Sequence, residues 1–384
     1  MSRLKTMQEE QDFEAYIQAL FSLSDHNMIH DKLSDLAIPA PFRLRIKVLY
    51  SKSSVKDIID KEVGKGTVQN LNKDSSTYLF DTAVGRLRTR RVRIPFILSS
   101  FKDKNLPDNI QAIISVCKSD PWKALMKISK KTYPRLVPIL LSQAELIQSA
   151  KRLKKITAHS VNVRAYSAKE SFNEKKKGYK KSLRIWTDED LDNALLSIRD
   201  RRQIVTSIDV EFFHKIGSQT HILPSVICKI RKDGEIEVSG SYKLAFDSVV
   251  SQIAEVGERK LRFFSGRGLQ VANYQPRPLA LNFGYPVFDK LDTIRHFVTL
   301  LSKYPSSMHA ILHGNPYAHV KITDIFDGSS FDVWAISPFR IALMPGLKAS
   351  EASFERLVHY IFDKFREGNI ADYDNEGRKL ESVA

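Results

Sequence analysis

Residues 42–50 read FRLRIKVLY and residues 85–95 read GRLRTRRVRIP, and these two stretches give the first half of the chain its character. In the first, Phe42, Leu44, Ile46 and Val48 alternate with Arg43, Arg45 and Lys47. A period of two predicts a β-strand with one apolar and one cationic side. In the second, five of the eight residues 86–93 are arginine. As a strand it projects Arg86, Arg88 and Arg90 from one face and Arg91 and Arg93 from the other, unless a bulge at Arg90-Arg91 resets the register. Two such strands in one sheet predict a flat cationic face backed by apolar residues. That face suits phosphate, because guanidinium pairs bidentately with phosphate oxygens. A merely solvated strand face is served by mixed Lys and Glu. Nearly unopposed arginines repel one another across neighbouring strands, so phosphate binding is the better reading.

The charge balance of the 384-residue chain agrees with this. The net charge is +16, yet residues 41–205 alone carry 36 Lys and Arg against 16 Asp and Glu. The first forty residues are acidic, with 3 basic and 7 acidic side chains, and residues 206–384 balance at 21 each. A field of that strength attracts polyanions. With 42% hydrophobic and 27% charged residues the chain reads as folded. Cys117 and Cys228 have no CxxC spacing, so neither a disulfide framework nor a thiolate zinc site is indicated. Residues 1–13 lack the apolar core of a signal peptide, and no apolar run approaches the ~20 residues that span a bilayer. A cytoplasmic protein without membrane contact is expected, although the lysine cluster at 175–181 reads equally well as a nuclear address.

The organisation expected is α+β in two domains. A basic N-terminal mixed α/β part with cationic strands precedes a C-terminal part of mostly antiparallel sheet with packed helices. The segments are an acidic helical extension (1–40), a basic nucleic-acid-binding domain (41–167), a lysine-rich linker (168–182) and an α+β C-terminal domain (183–384). Helices are predicted over 8–23, 55–63 with Ser54 as cap, and 136–155 with Pro138 in its first turn; Pro107 and Pro121 each mark a place where a helix can begin. Thr187 with Asp190 three residues later resembles a capping box opening a helix over 188–201. Asp233-Gly234 predicts a hairpin within 225–241. A helix over 246–256 ended by Gly257 and a strand at 259–264 are expected next, and later a helix over 351–367 capped by Ser350. Further strands are expected at 278–283, 308–313 and 339–344, with a helix over 287–303 and a hairpin over 318–337.

Asp209 and Glu211, two apart on a predicted strand over 203–213, share one face. With Asp289 downstream and His319-x-x-x-x-Asp324 after it, this order resembles the acidic motifs of the DnaQ-like (DEDD) exonucleases. The resemblance implies two Mg²⁺ ions held by the carboxylates and a histidine that activates water. It covers five positions and no continuous block. It also departs from the family pattern, since His319 and Asp324 fall on a predicted hairpin strand where a spacing of five puts them on opposite faces. The preferred reading of Ser207, Asp209 and Glu211 is the wet face of a strand. His309, His313 and His319 have no acid or cysteine that completes a zinc set.

The function expected is that of a nucleic-acid-binding subunit of a larger complex, with DNA or RNA as partner and no catalysis of its own. The candidate residues are Arg43, Arg45, Lys47, Arg86, Arg88, Arg90, Arg91 and Arg93, with Lys175, Lys176, Lys177, Lys180 and Lys181 as a strap. No catalytic or metal-ligating residue is assigned, and no cofactor is identified. Protein contacts or self-association are expected of the C-terminal half. The alternatives are a Mg-dependent DEDD-like nuclease using Asp209, Glu211, Asp289 and Asp324, and a protein-interaction scaffold that docks an acidic partner.

Overall fold

In the computed structural model of the chain the FRLRIKVLY stretch forms β1 (Arg43–Ser51), a strand in the middle of a sheet and buried on both faces. The described residues are 2–63, 68–84, 90–101, 106–156, 160–170, 183–190, 193–194, 203–216, 219–267, 276–314 and 317–373. The fold is α+β, and the chain divides into two units, Met1–Gly257 and Glu258–Ala384. The first carries 44 Lys and Arg against 30 Asp and Glu and the second 16 against 14, so nearly all the surplus charge lies in the first.

The first unit is built on one antiparallel sheet. Its strands are β1, β2 (Val68–Asn72), β3 (Thr77–Val84), β4 (Arg90–Ser100), β5 (Ile110–Cys117), β6 (Leu136–Pro138), β7 (Ser160–Glu170), β8 (Leu183–Asp190), β9 (Gln203–Ile216), β10 (Gln219–Arg231) and β11 (Glu235–Gly240). They run in the order β2-β3-β4-β5-β1-β11-β10-β9-β7-β8, with β6 paired to β1. Because β7 and β8 pair with Ala168 opposite Leu183, residues 168–170 of the expected linker belong to β7, the rest joins two strands of this unit, and the unit continues to Gly257.

Cross-strand register explains the apolar face. Ile97, Ile114, Ile46, Ile236, Ile230, Ile208 and Tyr166 stand opposite one another in a row across seven strands, each at most 1% exposed. Burying each isoleucine is worth about 1.5–3 kcal/mol, which makes this row a major source of sheet stability. Helices α1 (Ser2–Phe21), α2 (His26–Ser34) and α3 (Val55–Val63) precede β2, with Ser54 accepting the Asp57 N–H at the start of α3. Helices α3, α4 (Ser119–Leu125) and α5 (Lys127–Thr132) contribute Val55, Ile59, Trp122 and Ile128 to a core with Leu49, Phe96, Leu98 and Ile113.

Several elements differ from the sequence expectation for identifiable reasons. The expected helix over 136–155 is split: residues 136–138 complete a ladder against Leu49–Ser51, and α6 (Gln143–Ile156) begins only at a reciprocal capping box. There the Ser142 N–H donates to Glu145 Oε2 at 2.7 Å and the Glu145 N–H to Ser142 Oγ at 3.0 Å. Thr187 belongs to β8 instead of capping a helix, and its hydroxyl donates to the Val163 carbonyl at 2.6 Å. Residues 110–117, all buried, are a strand that has no alternation to announce it, and the Ile110 N–H closes a turn onto the Pro107 carbonyl where a helix was expected.

The Asp233-Gly234 hairpin forms between β10 and β11, with Gly234 at φ +74°. After it, α7 (Tyr242–Ala245), a π-helical turn (Phe246–Val250) and α8 (Ser251–Phe264) follow without a break. Gly257 therefore lies inside a helix, and the expected strand at 259–264 is helical. Glycine at this helical position leaves room for the Ile139 side chain, which lies where a Cβ would sit.

The second unit is a six-stranded antiparallel sheet of order β13-β14-β15-β16-β12-β17, formed by β12 (Leu279–Asn282), β13 (Ser307–His313), β14 (Ala318–Asp324), β15 (Ser330–Ser337), β16 (Arg340–Pro345) and β17 (Asn369–Asp372). Helices α9 (Leu291–Leu301) and α10 (Glu351–Lys364) supply Phe297, Leu301, Phe354, Leu357 and Ile361 to its core. Ser350 caps α10, accepting the Ser353 N–H at 3.2 Å.

Candidate nucleic-acid interface

The second face of the large sheet carries charge in register. Ser115, Arg45, Glu237, Lys229, Asp209, Ala165 and Trp186 stand opposite one another in sequence across β5, β1, β11, β10, β9, β7 and β8. Cation and carboxylate alternate along this row, the arrangement that favours cross-strand pairing. Arg45 Nη1 lies 2.8 Å from Glu235 and 3.1 Å from Glu237, and Lys47 pairs with Asp233 at 3.2 Å. Arg45 and Lys47 are thus buried ion-pair members inside the sheet. Their alternation in the sequence matches carboxylates that arrive some 190 residues later. Arg43 is half-buried and donates to the Phe42 carbonyl at 2.7 Å.

Further along the same face the arginines lie uppermost. Arg164 pairs with Glu211 at 3.5 Å, Arg184 with Asp209 at 2.5 Å, and Arg231 with Glu237 at 2.5 Å. The three arginine side chains are 38–45% exposed, whereas the carboxylates of Asp209, Glu211 and Glu237 are only 9–18% exposed. The acids orient the guanidiniums from below, and what faces outward is cationic. Burial lowers the pKa of Arg231, but Glu235 and Glu237 outweigh it and the proton is held more firmly. Burial also raises the Asp209 carboxyl, against the pull of Lys229 and Arg184. Trp186, 61% exposed, lies against both arginines, with the Arg184 guanidinium 4.5 Å and that of Arg164 5.7 Å from its ring centroid. None of Arg164, Arg184, Trp186 and Arg231 stood out in the sequence. The readable trace is the alternation Cys228-Lys229-Ile230-Arg231 and the spacing Arg184-x-Trp186.

Arg91 and Arg93 lie on the opposite face. Leu98 and Lys47 both stand opposite Ile113, while Ile97 and Ile46 both stand opposite Ile114. The odd-numbered residues of β4 therefore share a face with the even-numbered residues of β1. No bulge interrupts Arg90-Arg91, which pair in continuous register with Val84 and Ala83. The expected single cationic face is instead two surfaces, one on each side of the sheet. Asp81, 5% exposed, lies between Arg91 (2.9 Å) and Arg93 (3.7 Å), whose side chains are 79% and 63% exposed. A groove of about 600 Å³ includes both arginines, Lys118, Phe42 and Pro95 in its walls. The acidic helix α1 contributes Glu14 to the groove, and Lys118 pairs with Glu10 at 2.6 Å. Arg86, Arg88, Lys175, Lys176, Lys177, Lys180 and Lys181 lie outside the described residues; of Arg90 only the backbone pairing is described.

The four carboxylates of the nuclease alternative have separate settings. Asp209 and Glu211 are paired with arginine as above. Asp289 is an exposed residue ahead of α9. Asp324, 1% exposed, accepts from Ser353 at 3.0 Å and pairs with Arg356 at 2.8 Å. His319 and Asp324 occupy opposite faces of β14, and His319 stacks on Trp334 and contacts Asp332 at 2.9 Å. Among the described residues no group of three or more His, Cys, Asp or Glu gathers as a metal set, and no helix is long and apolar enough to cross a membrane. No model of a known protein family matches the chain, and no curated protein matches it.

Proposed function

We propose that the chain is a nucleic-acid-binding subunit that holds the phosphate backbone on the outer arginines of its first unit and positions its ligand without cutting it. The observation that carries this reading is the layering of Arg164, Arg184 and Arg231 over nearly buried carboxylates, repeated by Arg91 and Arg93 over Asp81. An arginine fixed from beneath loses less side-chain freedom when it meets a phosphate, and its planar fork has donors left over. The surplus charge of the same unit adds long-range attraction. A binding rather than cleaving role is favoured because Asp209 and Glu211 are neutralised by Arg184, Lys229 and Arg164 instead of facing one another across a metal site.

The second unit supplies the protein contacts in this reading. Its edge strand β13 is exposed along nearly its whole length and presents Met308, Ile311 and Leu312. An apolar strand edge with open backbone groups is a template for pairing with another chain.

Binding of labelled DNA and RNA in EDTA, titrated with salt, tests the proposal. Affinity should fall log-linearly with salt. R164E/R184E or R91E/R93E should weaken it and flatten the slope by about one for each phosphate no longer held. Absence of binding at low salt would replace this reading with docking of an acidic protein. Mg²⁺-dependent degradation abolished by Asp209→Ala would replace it with the nuclease.

A further inference from the structure

We infer that Trp186 is a base-stacking platform and that the ligand on this sheet face is single-stranded nucleic acid. The inference rests on the nucleic-acid reading above and adds what form of nucleic acid is held. A lone exposed tryptophan is ordinary on a protein surface. This one is in a built setting. It stands on β8 directly opposite Ala165, whose small side chain is fully buried while the indole stays exposed. Arg184, two residues away on the same strand face, and Arg164, at the register irregularity between Val163 and Ala165, both approach the ring. Each of those arginines is anchored by a nearly buried carboxylate, Asp209 or Glu211.

The chemistry of that arrangement selects its ligand. An indole face accepts any base by stacking, and flanking guanidiniums meet the phosphates on either side of the stacked nucleotide. A base within a duplex already has both faces covered by its neighbours and cannot lie on a ring that projects from a sheet. Aromatic residues on a sheet surface with cations beside them are the general solution for unpaired strands. A duplex-binding face can rest on phosphate contacts, and an exposed indole helps it only by wedging open a base step.

Anisotropy titrations of the full chain in EDTA, with an unstructured mixed-sequence oligonucleotide and with the duplex of the same sequence, test this. Trp186→Ala should weaken single-strand binding about tenfold or more and leave duplex binding and the salt slope unchanged, because stacking releases no counterions. Trp186→Phe should recover most of the loss. R164E/R184E should instead reduce the slope. Trp186 is exposed, so its variants should keep the wild-type urea midpoint; if Trp186→Ala displaces it, Trp186→Leu, which keeps apolar bulk without an aromatic face, decides by losing single-strand affinity or keeping it. If Trp186→Ala binds single strands like wild type, or loses single strands and duplex equally, the stacking role is wrong while the nucleic-acid reading stands. If wild-type protein binds neither form, the nucleic-acid reading itself falls.

Discussion

Lys47 and Arg93 belong to one sheet and stand on opposite faces of it. Lys47 shares the face of Leu98 and Ile113, and Arg93 that of Ile97 and Ile114. Their surroundings differ as sharply as their direction. Lys47 is buried, paired with Asp233 and hydrogen-bonded to its carbonyl, whereas Arg93 is mostly exposed beside Asp81. Two cations that look alike in an alternating sequence therefore have separate physical roles, one within the fold and one on its surface.

Substitution should separate these roles. Arg45→Ala removes the buried partner of Glu235 and Glu237, which keep Arg231, and loss of charge-assisted hydrogen bonds of this kind costs about 1.5–3 kcal/mol. Urea denaturation should show that loss, and binding by the surviving folded fraction should be near normal. R91E/R93E should lose affinity but also sets two carboxylates beside the nearly buried Asp81, so R91Q/R93Q, which keeps hydrogen-bond donors there, should lose affinity with the smaller shift of the urea midpoint.

Gly234→Ala should destabilise the first unit by more than about 1 kcal/mol, since an L side chain at positive φ is strained. The added Cβ would also sit 2.1 Å from the Ile139 carbonyl oxygen, which is backbone and cannot rotate away. A urea midpoint equal to wild type would show that the hairpin tip relaxes freely.

Acid should loosen the attachment of α2. His30 contacts His26 at 3.0 Å and Tyr242 at 2.7 Å, and burial, with the neighbouring His26, lowers its pKa to about 4. Unfolded histidine titrates at 6.5. The unfolded chain therefore binds the proton first, and the stability contributed by neutral His30 is full above pH 6.5 and is lost as pH falls from 6.5 towards 4. The whole effect is on the order of 3 kcal/mol. His30→Asn should flatten the pH dependence of the urea midpoint in that window. An unchanged slope would assign the acid sensitivity to other groups.

Asp324→Ala should weaken the second unit rather than a reaction. Asp324 and Asp327 join the β14–β15 turn to α10 through Ser350, Ser353 and Arg356. Burial pushes the Asp327 carboxyl up, but hydrogen bonds from Ser350, Ser329 and Ser353 outweigh it and hold the group below the usual range. Removing Asp324 takes away its ion pair with Arg356 and the hydrogen bond it accepts from Ser353, while Arg356 keeps Tyr304 and the Pro305 carbonyl, and should cost about 1.5–3 kcal/mol. Calorimetry that resolves the two units should show only the second transition lowered.

Much of the chain was legible where local pattern and final environment agree. The strand at β1, the Asp233-Gly234 hairpin and the apolar stripe of α10 all follow from period and turn chemistry. The readings that failed are those in which a partner distant in sequence overrode a local signal. Pro138 followed the open edge of β1 into a ladder, Thr187 served a strand carbonyl, and Gly257 fitted Ile139 inside a helix. The site was half legible for the same reason. The cations on strands were visible, but which of them faced carboxylates was not.

By itself the sequence determined the α+β class, the concentration of positive charge in the first unit and the strand character of residues 43–51 and 90–95, because period and composition act locally and add up along the chain. The tertiary structure alone decided which cations are interior and which lie outward. That choice depends on cross-strand register, and register brought Glu235 and Glu237 onto Arg45 and set Arg164 and Arg184 beside Trp186.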